Sequence, residues 1–415
     1  MAFLMVSMSA YPIPPTPQPF FVNHKSALDH PEVIDMYIEA EQKAGRYSRG
    51  FSPAELELLI GPFATAPLGV VPKPNSSKFR IIQDLSFPRN NSLQPSINSS
   101  IDSNHFPTSW GTFDETAALV LSLPPGCQAA TFDIESAYRI VPLAITQQAS
   151  LCICWRDLVY VDRALMFGLA SSAGVFGSVA DMIVAIYQRA GYGPIKKWVD
   201  DFFVVRLPNQ TWSEHDFIQV TAWAGVPWSL AKTRPLATQQ RYIGFDWDLE
   251  GKTVIFPEEK LHNLQATVHQ WLTPRARFSQ KDAQSLHGKL IHASCIFRLT
   301  RPFLRSLAYF ASSFQSAHAQ RIPPQNVHSD LEWIMNLLAQ SPSRRPLYHP
   351  SPLDLGWWGD ASSSFGIGIV VDRYWAVWRW QKGFTVGPNR SFDIGWAEAT
   401  AVEMALRTLL FISRL

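Results

Sequence analysis

Apolar and polar positions along the chain fall into short blocks whose spacing predicts most of the regular elements. Residues 31–60 repeat apolar side chains at helical spacing, and Pro53 behind Ser52 opens a second helix within that stretch. Apolar runs at 70–71 and 79–82, separated by the turn formers Pro74-Asn75-Ser76-Ser77, predict a β-hairpin. A polar loop region covers 86–112. A helix is predicted over 113–122 and a strand over 129–133, then a turn or short helix through Tyr138 and Arg139. A second hairpin is expected from 151–155 and 158–161. The small residues of 168–176 predict a loop leading into a long helix that ends near Ala190. Further on, 217–224 reads as helical, and 241–248 with 252–256 as another hairpin. Helices follow over 257–272 and 279–297, the second capped by Ser279. A polar linker is expected over 341–352. Three short strands (355–360, 366–371 and 375–380) and a helix from about Ala397 complete the pattern, which is that of an α+β chain.

One block breaks its own pattern. Asp200 and Asp201 stand side by side within Trp198-Val199-Asp200-Asp201-Phe202-Phe203-Val204-Val205, a run otherwise built of β-branched and aromatic residues. The run predicts a strand–turn–strand hairpin with the acids at its tip. Two adjacent carboxylates on so apolar a hairpin are costly unless a cation sits between them. An all-oxygen site of this kind suits Mg²⁺ or Mn²⁺. Asp133, at the end of the 129–133 strand, is a third candidate. Three acids on neighbouring strands are the donor set for two-metal phosphoryl transfer; the competing reading is that Asp133 caps the helix after it.

Composition narrows this only in part. The chain has 415 residues, 47% hydrophobic and 17% charged, enough apolar material for two or three packed domains. A formal net charge of +2 gives no global basic signal for nucleic acid, although a local basic groove is compatible with it. The four cysteines, Cys127, Cys152, Cys154 and Cys295, form no zinc spacing and no disulfide framework, which predicts a reduced, intracellular protein of the cytoplasm or nucleus. No apolar run reaches the length of a membrane-spanning helix, and the apolar Met1–Ala10 stretch lacks the basic flank of a signal peptide.

The ordered set of motifs resembles the reverse-transcriptase domain of retroelements, with the gypsy-like and tyrosine-recombinase types nearest in flavour. Lys73 and Lys78-Phe79-Arg80-Ile81-Ile82-x-Asp84 resemble the fingers hairpin. Asp133-Ile134-x-x-Ala137-Tyr138 resembles the first catalytic motif, and Phe167-Gly168-Leu169-x-Ser171-Ser172 the template-and-nucleotide loop. Trp198-Val199-Asp200-Asp201 resembles the catalytic hairpin. Lys232 and Tyr242-Ile243-Gly244-Phe245 resemble the last palm motif and the primer grip. Pro257-x-x-Lys260 and Leu286-x-Gly288-x-Leu290-x-His292-Ala293 extend the likeness past the palm.

The resemblance implies a right-hand polymerase with fingers, palm and thumb and an antiparallel palm sheet. It implies an irregular Pro-rich arm (1–30), fingers and palm (31–260), thumb or connection helices (261–340), a linker (341–352) and a partial ribonuclease H-like α/β module (353–415). Its partners would be an RNA or DNA template with a primer, and deoxynucleoside triphosphates. Asp133, Asp200 and Asp201 would be catalytic and hold Mg²⁺ or Mn²⁺. Tyr138 matches the steric gate that excludes a ribose 2′-hydroxyl; its other reading is a core tyrosine. Lys73 and Arg80 would clamp the triphosphate, or else form a solvated surface. Gly168 would let backbone approach the nucleotide closely. Lys232 matches the proposed proton donor to pyrophosphate, or is a surface lysine. Met166 and Gly174 replace prolines usual in the family, which predicts a looser nucleotide loop.

In the tail, Asp360-Ala361-Ser362 and Glu398 resemble two of the four acids of a ribonuclease H site. With half the set, this module is expected to be inactive, its sheet edges exposed. Arg275, Arg277, Lys281, Lys289, Arg298, Arg301 and Arg305 would track a nucleic-acid backbone, or form charged faces of surface helices. The leading expectation is an RNA-directed DNA polymerase of a retrotransposon. The alternative is a decayed or domesticated fragment that binds nucleic acid without polymerising.

Overall fold

In a computed structural model, the described residues are 20–73, 78–89, 95–316, 318–348, 351 and 354–412. The Pro-rich arm up to Pro19 and the turn Pro74–Ser77 lie outside them. The chain divides into two compact units, Met1–Tyr348 and His349–Leu415.

The first unit is built on a four-stranded antiparallel sheet. Its order is Ile195–Trp198, Asp201–Arg206, Gln128–Asp133, Arg234–Ala237. The two central strands are buried on both faces, which explains their unbroken apolar character. Phe202 points into one core with Phe132, Phe176 and Trp228, where the long helix Ser172–Arg189 packs. Phe203 points into a second core with Tyr242, Phe245 and Trp247. Consecutive side chains on a strand face opposite ways, so Phe202-Phe203 joins two cores at one point of the chain.

The second core continues into a second antiparallel sheet, ordered Arg344–Pro346, Thr253–Ile255, Phe245–Asp248, Gln239–Tyr242, and into the helices Glu258–Trp271, Gln280–Ala293 and Gln325–Gln340. Two sequence expectations are corrected here. The stretch 241–248 is not one strand: Ile243 and Gly244, both at positive φ, form a tight turn between two. The expected linker 341–352 contains the edge strand Arg344–Pro346, which pairs with Thr253–Ile255.

Local signals held well elsewhere. Ser52 caps Pro53–Ile60, and Ser279 with Asp282 forms a capping box; the helix Phe113–Ser122 also carries one, Thr112 with Glu115, which the sequence reading did not single out. The fingers hairpin pairs Leu68–Pro72 with Phe79–Gln83, and Cys152–Trp155 pairs with Leu158–Val161. The long helix, however, starts at Ser172 and takes in much of the expected loop.

The second unit carries three antiparallel strands, Trp357–Ala361, Gly366–Val371 and Tyr374–Arg379, with the middle one in sequence also central in space. The helix Ile394–Phe411 covers one face, setting Ala397, Ala401 and Ala405 against Ala361, Ile367 and Ile369. The opposite face carries Trp358, Val370 and Trp375 in one cross-strand row, all exposed.

Candidate active site

Asp133 and Asp201 are direct cross-strand partners on the two central strands of the palm sheet. Their side chains therefore leave the same face, about 5 Å apart at the backbone. Asp200 precedes Asp201 in the turn that joins its strand to Ile195–Trp198. That turn is strained: Val199, a β-branched residue, has φ +54°. Such a conformation costs on the order of 1–3 kcal/mol and persists only where surroundings impose it. Here the surroundings are hydrogen bonds. Ile134 N–H donates to Asp200 O at 3.0 Å, Glu135 N–H to Pro227 O at 2.8 Å, and Ser229 N–H to Asp133 O at 2.8 Å. Backbone on both sides thus fixes the end of the Asp133 strand.

The Asp133 side chain does not cap the following turn, Ala137–Ile140, whose flanking residue Ser136 makes no side-chain cap. It is only 6% exposed, and its Oδ1 accepts a 2.8 Å hydrogen bond from Lys232 Nζ. That bond, chiefly, raises the Lys232 ammonium pKa above its usual value. Partial burial of the hairpin tip raises Asp200, with repulsion from Asp133 adding to it. Burial, then repulsion from Asp200 and Asp133, pushes Asp201 up to about 6. Three carboxylates face one ammonium, so the tip lacks positive charge. The all-oxygen donor set suits a hard divalent ion. Among the described residues, no three His, Cys, Asp or Glu side chains are already arranged as a metal cage; one oxygen of Asp133 is engaged by Lys232.

Tyr138 is half-buried, its ring 4.7 Å from Phe167 and 5.5 Å from Phe176 between centroids, and near enough to feel the charge of Asp200. Burial, and next the charge of Asp200, raises its hydroxyl pKa. Gly168 sits at φ +94°, where an added Cβ would lie 3.2 Å from Gln83 O on the fingers hairpin. Asp133, Asp200, Asp201, Lys232 and Tyr138 are thus brought together. Arg80 is exposed and Lys73 half-buried on the fingers hairpin, and neither side chain bonds a described residue. In the second unit Asp360 stands on the open face of the sheet, whereas Glu398 belongs to the helix on the other face.

The loop from Met166 to Ser172 is better held than its missing prolines predict. Asn98 grips it at two points, donating to Gly168 O and accepting from Ala170 N–H, both at 2.8 Å. Ser172 Oγ–H closes the loop onto Met166 O at 2.6 Å. Gly174 is required by contact: an added Cβ would come within 2.3 Å of Phe106 O. Sequence reading missed Asn98 because it lies in a polar stretch without periodicity.

The turn Ile243-Gly244 is likewise clamped. Lys260 Nζ donates to Gly244 O at 3.0 Å, and His292 Nε2 lies 3.1 Å from Ile243 O while its ring stacks on Phe245 at 4.2 Å. The two motifs noted past the palm, around Lys260 and His292, therefore meet at one hairpin.

Three solved structures of foamy viral protease–reverse transcriptase superpose on nearly the whole chain. One in complex with dsDNA gives a TM-score of 0.56 at 16% identity over 98% of this chain and 76% of the other. One with an RNA/DNA hybrid gives 0.55 at 18% over 95% and 48%. The dRH form with dsDNA gives 0.54 at 17% over 96% and 63%. The fold is that of a retroviral-type reverse transcriptase. This chain spans between about half and three quarters of the length of these structures. No protein-family profile and no curated protein matches its sequence. Among the described residues no helix is long and apolar enough to cross a membrane.

Proposed function

We propose that this chain is a nucleotidyltransferase that extends a primer 3′-hydroxyl with deoxynucleoside triphosphates on an RNA template, as part of a retrotransposon. The observation that carries this reading is the cross-strand pairing of Asp133 with Asp201 beside Asp200, with Tyr138 within electrostatic reach of Asp200. Asp133, Asp200 and Asp201 would hold Mg²⁺ or Mn²⁺, which when bound lowers the pKa of the attacking hydroxyl and neutralises charge on the phosphates. The protein's own contribution is position and charge. Tyr138 closes the side of the site where a 2′-hydroxyl would sit. Gly168, held by Asn98, presents backbone without a side chain in the way. Lys73 and Arg80, whose side chains bond no described residue, are cations on the adjoining hairpin, available to triphosphate oxygens. Lys232 is a protonated amine hydrogen-bonded to Asp133, placed to give a proton to departing pyrophosphate.

Primer extension on an RNA template, with purified folded protein and Mg²⁺ or Mn²⁺, tests the reading directly. Incorporation that disappears in Asp200→Asn supports it; a folded protein that incorporates nothing under conditions permissive for another reverse transcriptase sinks it.

One observation favours a second reading, a domesticated fragment that binds nucleic acid without polymerising. Lys232 occupies an Asp133 oxygen, and the acids are not preset as a cage. Nucleic-acid binding that is indifferent to divalent ions and to Asp200→Asn, with no incorporation, is the outcome that reading requires.

A further inference from the structure

The most heavily bonded charged side chain near the site is Arg139, one residue after Tyr138. Its guanidinium is 4% exposed. Nε and NH2 donate to Glu41 Oε2 at 3.1 and 2.6 Å, and NH1 to Asp162 Oδ2 at 2.8 Å. NH1 also donates to Ala164 O at 3.0 Å and Leu165 O at 3.3 Å. Glu41 is held in turn by Arg46 through two bonds of 2.6 and 2.7 Å, and Asp162 by the Ala164 N–H at 3.0 Å. Two arginines face two carboxylates, so this largely buried quartet is balanced in charge. A buried ion cluster is weak evidence for stability, because desolvation offsets the attraction. Its distinguishing property is geometric: a planar five-donor fork ties fixed points together.

The points it ties are informative. Arg139 sits in the Ala137–Ile140 turn that carries Tyr138. Leu165, whose carbonyl it holds, lies two residues before Phe167, the ring against Tyr138. Glu41 lies on the separate helix Pro31–Lys43. One side chain therefore braces both members of the Tyr138–Phe167 pair against a third element. We propose that Arg139 is a positioning residue for sugar discrimination, acting through Tyr138 by fixing the ring pair beside the acids. This rests on the polymerase reading above.

The test uses the full chain with Arg139→Lys, which keeps the charge and loses the fork, alone and combined with Tyr138→Ala. Steady-state extension is measured with a deoxynucleotide and with its ribonucleotide counterpart. The expected result is a KM for the deoxynucleotide raised about tenfold with kcat within a few-fold, and a similar fall in preference for deoxy over ribo substrate. In the Tyr138→Ala background the added effect on preference vanishes, because both changes act on one contact. A loss of rate with unchanged preference, or an effect that adds fully to Tyr138→Ala, overturns the proposal. Should Arg139→Lys fail to fold, Glu41→Gln leaves the arginine in place, weakens one arm and carries the same expectation. 3-Fluorotyrosine at position 138 supplies a reading independent of activity. Its ¹⁹F resonance shifts or broadens in the variant if Arg139 positions the ring, and an unchanged resonance refutes the idea. If wild-type protein extends nothing, the polymerase reading falls while the fluorine spectrum still decides the role of Arg139.

Discussion

Asp201 shows the cost of gathering acids most directly. Its carboxyl pKa goes from 3.8 to about 6 in the folded chain, so the native state holds that proton more tightly than the unfolded state does. The contribution to stability is therefore unfavourable at neutral pH and is relieved as pH falls from about 6 to about 4. In EDTA, Asp201→Asn is expected to melt above wild type at pH 7, with the gap closing towards pH 4. Although the fold desolvates the carboxyl in part, Asp201 still meets solvent, so screening keeps the gain small. The same substitution, like Asp200→Asn, is expected to lower primer extension by about a hundredfold or more, the scale of losing a preorganised charge in a reaction centre. A variant that melts lower than wild type at pH 7 contradicts the cost of burial and repulsion at this carboxyl. The acids at 200 and 201 were legible in the sequence because their charge conflicts with the residues around them. Asn98 and Arg139 were not, because each works through partners far away in the chain: Asn98 reaches Gly168 and Ala170, and Arg139 reaches Glu41.

Loops and turns decide whether those side chains are aimed. Asn98→Ala removes two hydrogen bonds to the Gly168–Ala170 backbone, a loss of about 1–2 kcal/mol. Its expected signature is a deoxynucleotide KM raised several-fold with near-normal melting, since the loop rather than a core is released. Gly174→Ala drives a methyl into Phe106 O and is expected to cost about 1–3 kcal/mol in urea unfolding. An unaffected midpoint would show that the helix start at Ser172 can shift to make room. Capping signals, turn formers and apolar runs made most elements readable. The exceptions have a common cause. The Ile243-Gly244 turn lies inside an apolar stretch whose alternation does not announce a break, and Arg344–Pro346 is a polar edge strand recognisable only through its pairing with Thr253–Ile255.

At the scale of the whole molecule, the order of motifs predicted the polymerase fold that the foamy viral structures share, and the tail predicted a separate module. Pattern could not supply the join between cores, because a two-sided apolar strand reads the same whichever helices cover it. In the tail, Asp360 stands on the sheet face opposite the helix that bears Glu398. Cleavage of the RNA strand of a hybrid by this chain, if measurable at all, is therefore expected to be unchanged by Asp360→Asn or Glu398→Gln; a selective loss in either would give the module a working site. The double-sided burial of Phe202 and Phe203 reaches further than packing. A strand shared by two cores cannot detach from one while the other stays shut, so the hairpin that carries the acids has no low-energy opening of its own. The amide protons of Phe203, Val204 and Val205 should then exchange with deuterium only through global unfolding. Their protection would report the stability of the first unit as a whole, and ligand binding at the tip would slow their exchange only as far as it stabilises that entire unit.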